Sequence, residues 1–367
     1  TIVTPDADPV GSQAMLAVLE QFFGPANTFY HGESPPAQYS RGAEAAGPHR
    51  RQLHVWTLSG PAETWETQLH ERLHREPVFA VISGIGGKTW APVHRFCESE
   101  SIPCLLPNVD LPVGEEQDFY SMYFSGGVLL EAAVVAKTLR ELPVQHRPSQ
   151  LIQLYREGDI GAEAAASLQA LATDAGLPTV NRPLPADGPA GAVAAALENL
   201  DARDAVVLWL RPPDLAALRG APRDGTSVFL SGIMGGLEHA PLPKAWRQVA
   251  RMTYPYELPE LRAGLLDYPL GWFLFHKIPI TDEPVQVNTY VACGLLASAI
   301  KAMHHYLVRD YLVERFEATP ETAMSTGYYS HLSLAPGQRF ASKGGYLVRF
   351  SESTGAKIAP TSDWIIP

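Results

Sequence analysis

The sequence predicts an α/β protein of two doubly wound parallel-sheet lobes joined by a multi-strand hinge, and three observations lead there. The stretch Val78–Leu139 alternates short apolar runs with helical segments, the order of parallel strands linked by crossover helices. A second series of the same kind runs from Gln150 to Ser231. The length of 367 residues exceeds what one hydrophobic core usually organises, so two cores are expected.

The elements follow in order. An amphipathic helix over Gln13–Phe23 precedes a Gly/Pro/Ser-rich loop from Gly24 to Pro48. Next come a strand at Gln52–Leu58 and a helix at Glu63–Arg75. The run Val78-Phe79-Ala80-Val81-Ile82 forms a strand that opens into Ser83-Gly84-Ile85-Gly86-Gly87. A helix at Ala91–Glu100, strands at Ile102–Leu106 and Phe119–Phe124, and a helix at Val128–Leu139 complete the first series. The second reads strand Gln150–Tyr155, helix Ala162–Ala175, strand Thr179–Pro183, helix Gly191–Leu200, strand Ala205–Leu210, a short helix near Pro213–Arg219 and strand Ser227–Ser231. After it come a strand at Arg251–Tyr256 with Pro-rich turns, one long helix over Asn288–Phe316, and an alternating segment Ala341–Phe350 that reads as an antiparallel pair. A chain that returns between lobes several times makes a hinge. The expected division is residues 1–124 plus 255–325 for lobe one and 125–254 plus 326–367 for lobe two.

Composition narrows the function classes. With 28 Lys+Arg against 39 Asp+Glu the net charge is −11, and no basic cluster stands out beyond His49-Arg50-Arg51. Nucleic acid and anionic membrane surfaces are therefore poor partners. No apolar run approaches the ~20 residues that span a bilayer, so direct membrane insertion is not expected. The start lacks the basic end and apolar core of a signal peptide, which fits a cytoplasmic protein or a mature exported form. Cys97, Cys104 and Cys293 match no zinc or redox spacing. Cys97 and Cys104 either pair across helix and strand or remain buried free thiols. Catalytic signatures are missing: there is no Gly-x-Ser-x-Gly, phosphate-binding loop, dinucleotide fingerprint or His-Glu-x-x-His. His304 and His305 are neighbours on the long helix and point about 100° apart, so they serve one metal poorly. Neither an enzyme nor a cofactor or metal is expected.

In order and spacing the sequence resembles the type I periplasmic binding protein superfamily, in particular the branched-chain amino acid (Leu/Ile/Val) receptors of ABC transporters. The resemblance rests on Val78–Gly84 with its glycine loop, Ser101-Ile102-Pro103-Cys104-Leu105-Leu106-Pro107, Tyr123-Phe124-Ser125-Gly126-Gly127-Val128, Gly158-Asp159-Ile160-Gly161, Phe229-Leu230-Ser231-Gly232 and Gly344–Phe350. It covers roughly residues 50 to 350. It implies a periplasmic receptor, here lacking a signal peptide, that closes two lobes around a small molecule and presents the closed form to a membrane permease or sensor. A monomer is expected. The rival readings are a sensory or regulatory ligand-binding subunit of the same fold, and a doubly wound enzyme with an unrecognised site.

Ligands of open parallel sheets sit at the carboxyl ends of the strands, which directs attention to the loops Ser83–Thr89 and Pro107–Pro112. In the first, the glycines, Gly86 and Gly87 among them, stand where the family usually carries serines and either hold an anion on backbone amides or only permit a tight turn; Lys88 and Thr89 offer charge or a hydroxyl. Trp90 either stacks on a ligand or caps the core. In the second loop Asn108 and Asp110 replace the family's small segment, and Asp110 either pairs with a cation or caps its turn. From lobe two the resemblance points to Tyr155, Asp159, Ser231 and Met234, with Tyr254 near a crossing; Met234 and Tyr254 read equally as core and hinge packing. These departures argue against a standard α-amino acid as ligand.

Overall fold

A computed structural model describes residues 1–24, 52–114, 117–304, 306–320, 324, 327–329, 331–352 and 355–367. All but the first residue of the expected loop Gly24–Pro48 lies outside them. The chain forms two compact units: Thr1–Val109, Val113–Phe124 and Leu258–Ala341 make the first, and Asp110–Pro112, Ser125–Glu257 and Ser342–Pro367 the second.

In the first unit, Ile2–Val3 pairs in parallel with Trp56–Thr57, and Val81–Ile82, Cys104–Leu105 and Ser121–Ser125 pair in parallel in that order. Ile85 bridges in parallel to Val3 on one side and to Asn108 on the other, so the two groups continue each other, and Phe340–Ser342 closes the far edge. Numbered along the chain, the parallel strands stand in the order 2-1-3-4-5, a doubly wound arrangement. Apart from Thr57, every residue of these parallel strands is buried, as in sheets covered on both faces. Trp56, Trp65, Trp90, Phe96 and Ile2 fill the core beneath them. Cys97 on the helix Ala91–Ser99 is disulfide-bonded to Cys104, which resolves the alternative left open by the sequence.

Three expectations for this unit need correction. The long helix is two, Glu283–Met303 and Arg309–Glu317. It starts five residues early because the Asp282 side chain accepts a hydrogen bond from the Val285 amide ahead of a proline at the helix start, and it stops at His304, which takes φ 53°. The two histidines therefore do not share a helix; His305 lies outside the described residues. Two helices, Pro259–Leu265 and Asp267–His276, occupy the stretch read as Pro-rich turns. The return to the second unit comes at 341/342 rather than 325/326. The intervening residues stay behind because the Tyr328 ring lies under the Arg262 guanidinium, the Tyr328 hydroxyl donates to Glu283, and Arg339 pairs with Glu317.

The second unit holds a seven-stranded sheet. Thr179–Leu184, Gln150–Arg156, Asp204–Trp209, Ser227–Leu230 and Ala250–Tyr254 are parallel neighbours, again in the order 2-1-3-4-5. Tyr346–Phe350 and Ile358–Pro360 add an antiparallel edge. The segment Ala341–Phe350 is thus not a hairpin: Phe340–Ser342 joins the first unit's sheet, Tyr346–Phe350 this one. Gly344 sits between them, where a Cβ would lie 2.3 Å from the Ile365 carbonyl oxygen. The helices Gly127–Glu141 and Gly161–Asp174 pack on this sheet around Trp209, Phe229 and Leu168. The helix expected at Gly191–Leu200 shortens to Ala192–Ala196, since Asn199 turns into the left-handed region.

Candidate ligand site

In the first unit the strand ends carry a cluster of neutral polar groups. Ser83 and Leu106, each just past its strand, take φ 47° and 54°, a conformation that costs non-glycine residues energy and recurs at functional loops. Ser83 Oγ donates to Thr289 Oγ1 at 2.8 Å, Asn108 Nδ2 donates to Ser83 Oγ at 3.1 Å, and Thr289 Oγ1 donates to the Val285 carbonyl at 2.7 Å. Asn108 Oδ1, though sealed from solvent, has no hydrogen-bond donor among the described residues.

The glycine loop beside this cluster is packed for closeness. A Cβ on Gly84 or Gly86 would come within 2.5 and 2.8 Å of the Trp90 indole, and one on Gly87 within 2.2 Å of the Asp6 carbonyl oxygen. None of the three has a positive φ, so these glycines supply space and not backbone freedom. The Lys88 amide donates to Asp6 Oδ2 at 2.6 Å, the Gly86 amide to the Asn108 carbonyl at 3.3 Å, and the Ala91 amide to Thr89 Oγ1 at 3.3 Å. A carboxylate does sit on this loop, and it is the chain's own Asp6. The Lys88 side chain is exposed.

In the second unit, charged groups gather past the parallel strands. Arg211 donates from Nε and Nη2 to the two oxygens of Asp159, both at 3.0 Å, and its Nη1 stands 3.9 Å from Asp110. Burial works against the Arg211 charge, but Asp159 and Asp110 outweigh it and hold its pKa above the ordinary value. Beside it Arg156 grips Asp214 through two bonds of 2.7 and 2.6 Å, the planar fork geometry of strong guanidinium pairs. Tyr155, half-buried, leans on the unit's core.

At the end of the strand Ser227–Leu230, Glu131 from the helix Gly127–Glu141 is buried. Its Oε1 accepts from the Gly232 amide at 2.8 Å, the Ile233 amide at 3.1 Å and Thr253 Oγ1 at 2.7 Å, while Oε2 accepts from the Ser231 hydroxyl. Burial pushes its pKa up to about 7, against the pull of those four donors.

The structure thus sorts the residues picked from sequence. Asp110 and Asp159 meet on one guanidinium, and Asn108 presents an open acceptor. Gly86, Gly87, Lys88 and Thr89 lie in the expected strand-end loop with most of their polar groups spent within the protein. Trp90, Met234 and Tyr254 are corrections: each is at most 1 % exposed, Trp90 and Met234 within hydrophobic cores and Tyr254 donating to Glu238. Ser231 is also withdrawn, its hydroxyl given to Glu131 and accepting from the Met234 amide. The groups missed were Ser83, Thr289, Arg211 and Glu131. Ser83 and Arg211 follow strands directly, and the strand-end rule that chose Asp159 reaches them; Thr289 is set by tertiary packing.

One further polar cluster lies in the first unit. His94, Glu98 and Asp118 bring ligand atoms within 4.8 Å of one another. Glu98 is taken by the amides of Phe119, Tyr120 and Ser121, and the two His94 nitrogens lie 2.8 Å from the Tyr123 hydroxyl and 3.1 Å from Asp118. Both ring nitrogens are engaged, so the cluster reads as a structural network.

No protein-family model and no curated protein sequence matches the chain. Solved structures do. A substrate-binding periplasmic protein from Ralstonia solanacearum is 13 % identical with a TM-score of 0.68, covering 98 % of each chain. An ABC-transporter solute-binding protein from R. palustris in complex with benzoate is 13 % identical with a TM-score of 0.64, over 100 % of this chain and 96 % of that one. A branched-chain amino acid ABC transporter protein from Thermus thermophilus with bound valine is 10 % identical with a TM-score of 0.63, over 100 % and 95 %. The fold is therefore the two-unit α/β fold of type I periplasmic binding proteins. The solved structures of this fold hold molecules as different as benzoate and valine, so the fold alone does not name a ligand.

Proposed function

We propose that this chain is a non-catalytic, exported solute-binding protein that closes its two units around a small organic molecule and delivers it to an ABC-type permease. The observation that carries the reading is the pairing of a solute-binding fold with unusual strand-end chemistry. One unit offers the neutral group Ser83–Asn108–Thr289 with the open acceptor Asn108 Oδ1; the other offers the charged group Asp110–Arg211–Asp159. The ligand is not a standard α-amino acid: the loop Gly86–Thr89 has its Lys88 amide already engaged by the carboxylate of Asp6. In the first unit a ligand N–H or O–H satisfies Asn108, and in the second a ligand polar group exchanges with the 3.9 Å Asp110–Arg211 contact. Export accords with the Cys97–Cys104 disulfide, a bond that persists in oxidising compartments. Among the described residues no helix is long and apolar enough to cross a membrane.

The test is a thermal-shift panel of amides, aromatic acids, amino acids and other small metabolites. At least one class raises the melting temperature with saturable dose dependence, and Arg211→Ala or Asn108→Ala removes that rise. A panel without hits, or turnover of a hit, contradicts the proposal.

A further inference from the structure

The first unit contains a second concavity, between the helices Glu283–Met303 and Arg309–Glu317. Its volume is about 300 Å³, and Gly294, Leu295, Ser298, Ala299, Arg315 and Thr319 are among the residues that line it. It lies one to three turns along the helix from Thr289, away from the strand ends. We propose that this cavity binds a small monocarboxylate, its carboxylate gripped by Arg315 and its apolar body lying along Gly294, Leu295 and Ala299.

The guanidinium is the reason. The other charged groups that helix Arg309–Glu317 turns toward the protein have partners: Arg309 donates to the carbonyls of Val78 and Glu100, Asp310 accepts from Tyr120, and Glu317 pairs with Arg339. Arg315 forms no side-chain hydrogen bond or ion pair among the described residues, although its Nε is sealed from solvent. In a chain with 39 acidic against 28 basic residues an arginine finds a carboxylate easily, yet among the described residues no acid lines this cavity. A buried donor without a partner destabilises the fold, and a carboxylate matches the planar guanidinium fork better than any neutral group. The hydroxyl of Ser298 on the facing helix supplies a further donor, while that of Thr319 already donates to the Arg315 carbonyl. The volume is that of a small organic acid, at the lower end of ligand pockets, and Gly294, Leu295 and Ala299 offer an apolar wall that a phosphate or sulfate leaves unused.

Two variants make the test decisive. Arg315→Gln removes the charge and keeps the length. Gly294→Leu fills the space: a Cβ there meets nothing within 4 Å, and replacing glycine inside a helix favours the fold. Propionate and benzoate are titrated calorimetrically into the wild type and both variants, with sulfate as the control anion. The expected result is saturable binding of at least one carboxylate by the wild type, weakened tenfold or more in Arg315→Gln and abolished in Gly294→Leu, whose melting temperature is equal or higher. Arg211→Ala leaves this binding unchanged, which separates it from the strand-end site. The proposal is overturned if neither acid binds, if Gly294→Leu binds as the wild type does, or if sulfate binds equally well.

Discussion

Replacing Glu131 by glutamine should change how stability depends on pH, and the size of the change follows from the structure. The Glu131 carboxyl is 1 % exposed, and burial holds its pKa near 7 against 4.5 for the ordinary group. An acid whose pKa is raised by folding binds its proton more tightly in the native state. Its contribution is fully present below pH 4.5 and is lost as pH rises toward 7. At about 1.4 kcal/mol for each pH unit between the two values, the loss is about 3 kcal/mol. Glu131→Gln removes the titration but turns an amide NH₂ toward the Gly232 and Ile233 amides or toward Ser231, at a cost of about 1–3 kcal/mol that does not vary with pH. The assay is urea unfolding of both proteins at pH 4.5, 6 and 8. The gap between wild type and variant should narrow by about 3 kcal/mol from pH 4.5 to 8, because only the wild type loses stability through this group. A gap that stays constant would show that the four hydrogen bonds hold Glu131 ionised throughout, and would refute the assignment of burial as the dominant cause.

Other predictions test the packing. Gly87→Ala brings a Cβ to 2.2 Å from the Asp6 carbonyl; it should cost about 1–3 kcal/mol by forcing the segment away, seen as a lower urea midpoint, whereas an unchanged midpoint would mean the segment yields freely. Removing the Cys97–Cys104 bond, which closes a loop with a sequence separation of 7, should cost about 2 kcal/mol. Thermal unfolding of the Cys97→Ser/Cys104→Ser protein reads this as a drop of a few degrees; equal melting points would refute the stabilising role. Arg211→Ala should weaken the ligand found by the panel tenfold or more and leave the fold intact by circular dichroism.

The architecture was legible because it is written in patterns of 2.0 and 3.6 residues. The apolar runs Val78–Ile82 and Ala205–Leu210 led to the buried strands Val81–Ile82 and Asp204–Trp209, and the helices between strands carry apolar stripes. What the pattern could not carry was decided by single residues or by tertiary context. Asp282 with Pro284 fixed a helix start that periodicity placed late, and the left-handed His304 broke a helix that periodicity ran through. Phe340–Ser342 and Tyr346–Phe350 alternate alike but pair in different sheets, a matter of long-range register that local sequence does not state. Past the strands, the strand-end rule led to polar groups that the structure gathers, Asn108 beside Ser83 and Asp110 and Asp159 on Arg211. It failed for Trp90, Met234 and Tyr254, since position in a loop or at a strand end does not tell whether an apolar side chain turns outward or into the core. Glu131 was open to notice: an acid within the apolar run Val128–Val135 must find buried donors, and it finds four.

The most direct measurement is a crystal structure of the protein grown with the strongest hit of the ligand panel. The account predicts density for that molecule with a donor on Asn108 Oδ1 or a polar group at Asp110, Arg211 and Asp159. Density that touches neither group, or a hit that binds only elsewhere on the surface, would contradict it.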